Sequence, residues 1–222
     1  MLFTAEVIEL SEPQRVASGT VRSVYTFPGQ PELLIKVFHT PENRSPRKPL
    51  KRFAWKLFPT MKFRSMLNEL NCEFLATLRL DKEIRHLPIS RMMGIVQTNR
   101  GPGVVVERIA GPDGELALQI GRVLRDRKID ETLLSALNNF VQRMFDLHIV
   151  ARDINGSNIV YGTRDGSMGC FLVDGYGERN LIPLRSMSAR LNARSLEKQF
   201  AVFAQRAGLL WDPVQRSFSI PE

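Results

Sequence analysis

The chain of 222 residues is 43% hydrophobic and 24% charged, enough apolar side chain for a real core and too much for a disordered polymer. Thirty-one Lys and Arg against 23 Asp and Glu give a formal charge of +8, which favours anionic partners such as nucleotides, nucleic acid, phospholipid or phosphorylated sugar. With Cys72 and Cys170 the only cysteines, three histidines and no Cys-x-x-Cys pair, neither a disulfide framework nor a structural zinc centre is supported. The opening MLFTAEVIEL lacks a basic leader region, and no apolar run reaches the roughly 18 residues that a membrane span needs, so a soluble cytoplasmic chain is expected.

In chain order, residues 15–40 read as two strands rich in Val, Tyr, Phe and Ile around the turn PGQPE. Between Asn43 and Asn68 come eight basic residues and no acidic one. Within that basic insertion, 41–66, the residues Leu50, Phe53, Ala54, Leu57, Phe58 and Met61 recur at helical spacing, with Lys48, Lys51, Arg52, Lys56 and Lys62 mostly on the remaining surface. A basic amphipathic helix is expected there, either packed on its apolar stripe or lying on an anionic surface. Residues 67–80 follow as a helix, and ISRMMGIVQTNRGPGVVVERI as two strands around the hairpin signal NRGPG.

The β-rich part ends near Ile109. Beyond AGPDGE, the segments ELALQIGRVL and DETLLSALNNFVQRMFDLHIV are apolar at helical spacing, with Leu133, Leu134, Leu137, Val141, Met144 and Phe145 on one face and Asp130 as N-cap. Then comes a polar knot, IVARDINGSNIVYG, a hairpin of IVYG and CFLVDGYG around TRDGSMG, and an amphipathic helix over 185–207.

Two lobes are therefore expected: residues 1–110 as a small antiparallel sheet with one main helix, and 111–222 as a compact, mainly helical part. This α+β order of parts is that of the protein kinase-like fold. Its catalytic loop carries an Asp, four residues and an Asn: the Asp takes the acceptor hydroxyl's proton and the Asn holds Mg²⁺. Asp153, INGS and Asn158 match that spacing, and a second Asp, Asp174 in VDGYG, stands 21 positions on as the metal-binding partner.

Lys36, in the strand LLIKVF, has the setting of the Lys that meets the α/β-phosphates, and Glu69 or Glu73 in the next helix, with Glu73 favoured, would orient it. Only Gly19, in ASGTVRSVY, stands for the glycine-rich phosphate loop. VVVERIAG fits a hinge where the backbone of Glu107 to Ile109 meets adenine. Each residue has a plainer reading: a strand Lys often snorkels to solvent, and Asp and Asn often make turns. Their joint order carries the kinase reading. His148 and the two cysteines are expected to pack rather than react.

The blocks SGTVRSVY, LIKV, GPGVVVERIAGPDG, LHIVARDINGSNIVY and FLVDGYGERNLIPL, over residues 15–185, resemble the YrbL (PhoP regulatory network) family of small bacterial kinase-like proteins. The resemblance implies the kinase-like fold, a link to envelope-stress regulation, and ATP and Mg²⁺ as cofactors. Related bacterial members of the wider fold phosphorylate lipopolysaccharide core sugars, so the implied acceptor is a sugar or glycolipid hydroxyl. The competing expectation is a non-catalytic regulator that binds nucleotide or a partner protein.

Two features depart from the protein kinase pattern. Ala151 takes the first place of the His-Arg-Asp triplet, leaving Arg152 and Asp153 as the expected catalytic pair. Only about 45 residues follow DGYG, too few for a full activation segment and peptide-docking helices, which disfavours a protein substrate. The basic insertion would bring an anionic acceptor, or an anionic surface at the inner membrane, to the chain. Nucleic acid is disfavoured because no aromatic stacking residues interleave with the charges in a recognised motif.

Overall fold

Alternating apolar residues make the first part of the chain strands. In the computed structural model, which describes residues 6–19, 22–39, 64–80, 86–126, 129–178 and 183–221, these are β1 (Arg15–Ser18), β2 (Arg22–Phe27) and β3 (Gln30–Phe38). The amphipathic helix expected over residues 50–61 lies outside the described residues. The two strands expected over 15–40 are three, and β2 turns into β3 through Pro28 and Gly29, whose φ of 75° suits glycine. Helix α1 (Arg64–Thr77) follows, starting three residues before the expected position, then β4 (Met92–Thr98) and β5 (Gly101–Glu107).

The strands form one antiparallel sheet in the order β1-β2-β3-β5-β4. Because side chains alternate along a strand, Leu33, Ile35 and Val37 of β3 pack with Tyr25, Phe27, Val96 and Val105. Leu34 and Phe38 join Val104, Val106 and Met66 in a separate cluster. Lys36 has the same parity as Leu34 and Phe38, and lies across from Val24 and Val104.

The second part opens with β6 (Leu118–Gln119) and α2 (Ile120–Asp126), where a single helix was expected, and continues with α3 (Glu131–Asp146). The hairpin of β7 (Ile159–Arg164) and β8 (Ser167–Leu172) turns on Asp165 and Gly166, both at positive φ. Helices α4 (Leu184–Met187) and α5 (Ala189–Ala207) come next, and β9 (Leu210–Asp212) with β10 (Ser217–Ser219) forms a terminal hairpin that the sequence did not announce. Asp130 caps α3 as expected, its carboxylate accepting from Leu133 N at 2.7 Å.

The chain divides into two compact units, residues 1–67 with 91–108, and 68–90 with 109–222. Residues 68–90, assigned by sequence to the N-terminal part, group with the second unit because Cys72, Ala76, Leu87 and Ile89 belong to its core. Arg164 fixes residues 87–89 through its Nη1 on Leu87 O and its Nη2 on Ile89 O. The result is the α+β class expected: an antiparallel sheet unit and a mainly helical unit, with most of the helix that lies between β3 and β4 in the chain belonging to the second. Among the described residues no helix is long and apolar enough to cross a membrane.

An aromatic cluster centres the second unit. The wholly buried Phe200 of α5 lies within ring-centroid distances of 5.5 to 6.2 Å of Phe140, Phe145, Trp211 and Phe218. Phe200→Ala should therefore cost about 3–5 kcal/mol of unfolding free energy in urea denaturation. Val214→Ser, at a position 89% exposed, should change it by less than about 0.5 kcal/mol.

Candidate active site

The polar knot begins where α3 stops. Leu147 donates back to Arg143 O, and His148 takes φ 51°, turning the chain out of the helix. Ile149 N then returns to Met144 O at 2.9 Å, while Asn192 of α5 donates Nδ2 to Ile149 O at 3.0 Å. His148 does not lie on a helix face as expected; its Nε2 stands 2.6 Å from Arg185 O. Leu147, Ile149 and Ala151 are wholly buried, and Asp153, two residues on, is exposed. The core thus grips the chain immediately before the acid.

The three polar residues of the knot have different tasks. Asn155 is the turn former: its Oδ1 accepts from Ser157 N at 2.9 Å, Ser157 Oγ at 2.6 Å and Asn158 N at 3.1 Å. Asn158 reaches back, with Nδ2 3.0 Å from Asp153 O and 3.4 Å from Asp153 Oδ2. Its amide oxygen is thereby left for another partner. Asp153 presents its carboxylate outward.

Asp174 arrives from β8. Val173 N donates to Asn158 O at 2.8 Å, Arg152 N to Gly175 O at 2.7 Å and Gly177 N to Val150 O at 2.7 Å, so the two segments are joined by backbone. Asp174 Oδ1 accepts from Gly175 N at 2.6 Å. The glycines follow from crowding. A Cβ on Gly175 would stand 3.1 Å from both Asn158 Nδ2 and Asp153 O, and one on Gly177 would stand 2.5 Å from Asn68 O of α1. Both have positive φ, 81° and 87°. Tyr176 between them is wholly buried and donates its hydroxyl to Ser90 O at 2.9 Å.

Arg152 turns inward, its Nη2 3.0 Å from Glu69 Oε1. Glu69 is only 1% exposed, whereas the favoured Glu73 is half-buried. From the sequence Glu69 is legible only as a partner for Lys36, and its contact with Arg152 emerges from the fold. Two further residues were missed altogether. Gln199 of α5 brackets Asp153, donating Nε2 to Ala151 O at 3.1 Å and accepting from Ile154 N at 3.1 Å. Arg185 donates Nη1 to Ala151 O at 2.8 Å and pairs with Glu178 at 2.8 Å. The available signal was a polar line, Asn192 and Gln199, seven residues apart within the apolar stripe of α5.

The other expected site residues belong mostly to the sheet unit. Lys36 is 6% exposed, so the solvent-snorkelling alternative does not apply, and an ammonium buried this far requires polar partners. Gly19 is exposed and donates to Arg22 O at 2.9 Å. In the hinge stretch, Glu107 N donates to Arg91 O at 3.0 Å and Arg108 N to Glu32 O at 2.8 Å. Ile109, in the second unit, accepts from Ala117 N at 3.0 Å. Both cysteines are buried as expected. Burial pushes the Cys170 thiol up to about 12 and raises Cys72 as well, the latter despite hydrogen bonds from the Val150 and Gly177 backbone.

A five-stranded antiparallel sheet with a helix after its Lys strand, followed by a loop that ties Asp153 to Asn158 and to an Asp-Gly turn, defines a protein kinase-like chain. The chain belongs to the family of the PhoP regulatory network protein YrbL, whose model matches residues 8–208. It is similar to the kinase domain of PknI from Mycobacterium tuberculosis, solved as a double mutant, with 16% identity and a TM-score of 0.48 over 90% of this chain and 75% of that one. A comparison with curated proteins finds no match.

Gly177→Ala should destabilise the protein by more than about 2 kcal/mol, since it combines a positive-φ penalty with a backbone clash. Gly29→Ala, at similar φ in open space, should cost only about 1 kcal/mol in the same thermal or urea measurement. Neither cysteine should react with iodoacetamide at pH 8 in the native protein, and both should on unfolding, as counted by intact mass.

Proposed function

We propose that this chain is a phosphotransferase that uses ATP and Mg²⁺ to phosphorylate a sugar or glycolipid hydroxyl in bacterial envelope-stress adaptation. The observation that carries this reading is the exposed Asp153, held on both flanks by backbone hydrogen bonds to Gln199 and joined to Asn158 through its own carbonyl. An acid fixed in this way can accept the proton of an acceptor hydroxyl without first being ordered, the pre-organisation that general-base catalysis requires.

Asp174 and Asn158 offer carboxylate and amide oxygens, hard donors of the kind Mg²⁺ takes. Among the described residues no group of three or more His, Cys, Asp or Glu is placed to hold a metal, so phosphate oxygens and water would have to complete the shell. When bound, Mg²⁺ would neutralise charge on the phosphates. Lys36 would grip the α/β-phosphates, with Glu69 or Glu73 as its orienting acid, Gly19 would approach the phosphates, and Glu107 and Ile109 would border adenine. Arg152 acts in this reading by positioning the loop through Glu69. The cations between Asn43 and Asn68 would draw an anionic acceptor, or the membrane surface that carries it, and this attraction weakens with salt.

The experiment is ATP turnover with and without Mg²⁺, using an envelope extract as acceptor, together with calorimetric nucleotide binding. Asp153→Ala should keep ATP affinity within about twofold while lowering transfer by about 10²–10⁴-fold, because the base acts on the acceptor. Nucleotide binding without turnover in the parent protein would overturn the enzyme reading in favour of a nucleotide-binding regulator.

A further inference from the structure

In the second unit β6, β7 and β8 form a sheet in that order, so β8 has a strand partner on one side only. The N–H and C=O of one strand residue point to the same edge, and the direction alternates from residue to residue. Val173 N reaches Asn158 O on the β7 side. Leu172 turns the other way, giving its N–H to Pro88 O at 2.9 Å and accepting from Ser90 N at 3.0 Å. The β7–β8 register runs without a shift, so Met168 and Cys170 present their N–H and C=O to the same edge as Leu172. Residues 88–90 answer Leu172 alone; among the described residues nothing on that edge answers Met168 or Cys170. Such an open row of backbone groups is a template for a further strand.

A cavity of about 270 Å³ lies against this stretch of β8, lined also by α3 and by His86 and Pro88. All of its described lining belongs to the second unit. Phe140 and Met168 give it apolar surface, and its charge is positive. Arg143 of α3, half-buried, donates Nη1 to His86 O at 3.4 Å and has no carboxylate partner among the described residues. Arg164, also in the lining and 6% exposed, passes over the Phe171 ring at 4.2 Å on its way to Leu87 O and Ile89 O. Asp165 meets His86 Nδ1 at 3.4 Å but does not line the cavity, and no other carboxylate is among the described lining residues.

We propose that this edge is the docking site for an extended, acidic segment of a partner protein, which adds to β8 as a further strand. The segment continues the pairing that residues 88–90 begin at Leu172: its backbone exchanges hydrogen bonds with Met168 and Cys170, and a Glu or Asp side chain meets Arg143. The edge from Met168 to Cys170 is about 7 Å long, so roughly two or three residues of the segment make the ladder. None of Lys36, Asp153, Asn158 or Asp174 lines the cavity, so the site is separate from the proposed nucleotide chemistry. Yet β8 ends at Leu172, two residues before Asp174, which puts the docked segment on the strand that delivers the metal-binding acid of that proposal.

The test is an amide NMR titration of the full chain with the capped peptide acetyl-Thr-Val-Glu-Val-Thr-amide. The Met168 and Cys170 amide signals should move saturably. Affinity should fall at least about fivefold when Lys replaces the peptide's Glu, when its central amides are N-methylated, and in Arg143→Gln. It should fall likewise in Met168→Pro, which removes an edge donor and leaves the β7 ladder intact; should that variant not fold, Arg143→Gln and the two altered peptides still decide. Lys198→Ala, at an exposed position on α5, should bind as the parent does. No saturable movement of those two amides, or undiminished binding of the N-methylated peptide, would overturn strand addition, and undiminished binding of the Lys peptide would overturn the acidic partner. In the free parent both amides should exchange with solvent faster than that of Phe171. Slow exchange there would also overturn the proposal, showing the edge already filled by this chain if independent of protein concentration, and by a second copy if not.

Discussion

A partly buried ion pair between Glu69 of α1 and Arg152 is the contact on which the Asp153 loop depends. Taking both charges out of water is costly, and such a pair is no guarantee of net stability compared with an apolar pair of the same shape. Its consequence is geometric. With Glu69 only 1% exposed, the Arg152 side chain is drawn inward, and the backbone that follows leaves the core at Asp153. Removing one partner alone takes this contact from the other, a loss of at most about 3–5 kcal/mol. The pair thus makes the direction of the loop a property of the core.

Everything nearby supports that exit. The backbone clasp joins Val150 and Arg152 to Gly177 and Gly175, and Gln199 and Arg185 share the Ala151 carbonyl. Gly177 lets the Asp-Gly-Tyr-Gly turn lie directly on the backbone of α1, where any side chain would collide with Asn68. Buried Tyr176 ties the same turn to Ser90. Loop, turn and helix are in this way fastened from several sides, which is what a constellation needs if it is to hold an acid ready for a hydroxyl. In the wholly buried Ala151, the position that carries His in protein kinases holds a small core residue whose carbonyl, not its side chain, does the anchoring.

Local signals in the sequence were legible where physics is local. The spacing Asp153 to Asn158, the Asp130 cap, the Asp165-Gly166 turn and the alternation around Lys36 each depend on a few neighbouring residues. What stayed hidden was long-range. Glu69 and Glu73 are equivalent by helix spacing, and only the folded core distinguishes the buried one. Gln199 is 45 residues from Ile154, and its polar interruption of the α5 stripe, shared with Asn192, does not say what it clamps. The helix read through Val150 stops at Asp146 because tertiary bonds to Ile149 outweigh helical periodicity. The hairpin of β9 and β10 escaped notice because its strands are three residues each and are held by Trp211 and Phe218 in the aromatic cluster.

Pre-organisation of the loop by the core can be measured without any substrate. Native-state hydrogen exchange would follow the amides of Arg152 and Gly177, which donate to Gly175 O and Val150 O, in the parent and in Glu69→Gln. In the parent both amides should exchange only by opening events close to global unfolding, alongside those of α3. In Glu69→Gln their protection should fall by about tenfold or more beyond any loss shared with α3, since an Arg152 that has lost the Glu69 carboxylate loosens the loop first. Parent amides that exchange as fast as those of exposed turns, or protection unchanged by Glu69→Gln, would contradict the claim that this ion pair fixes the site.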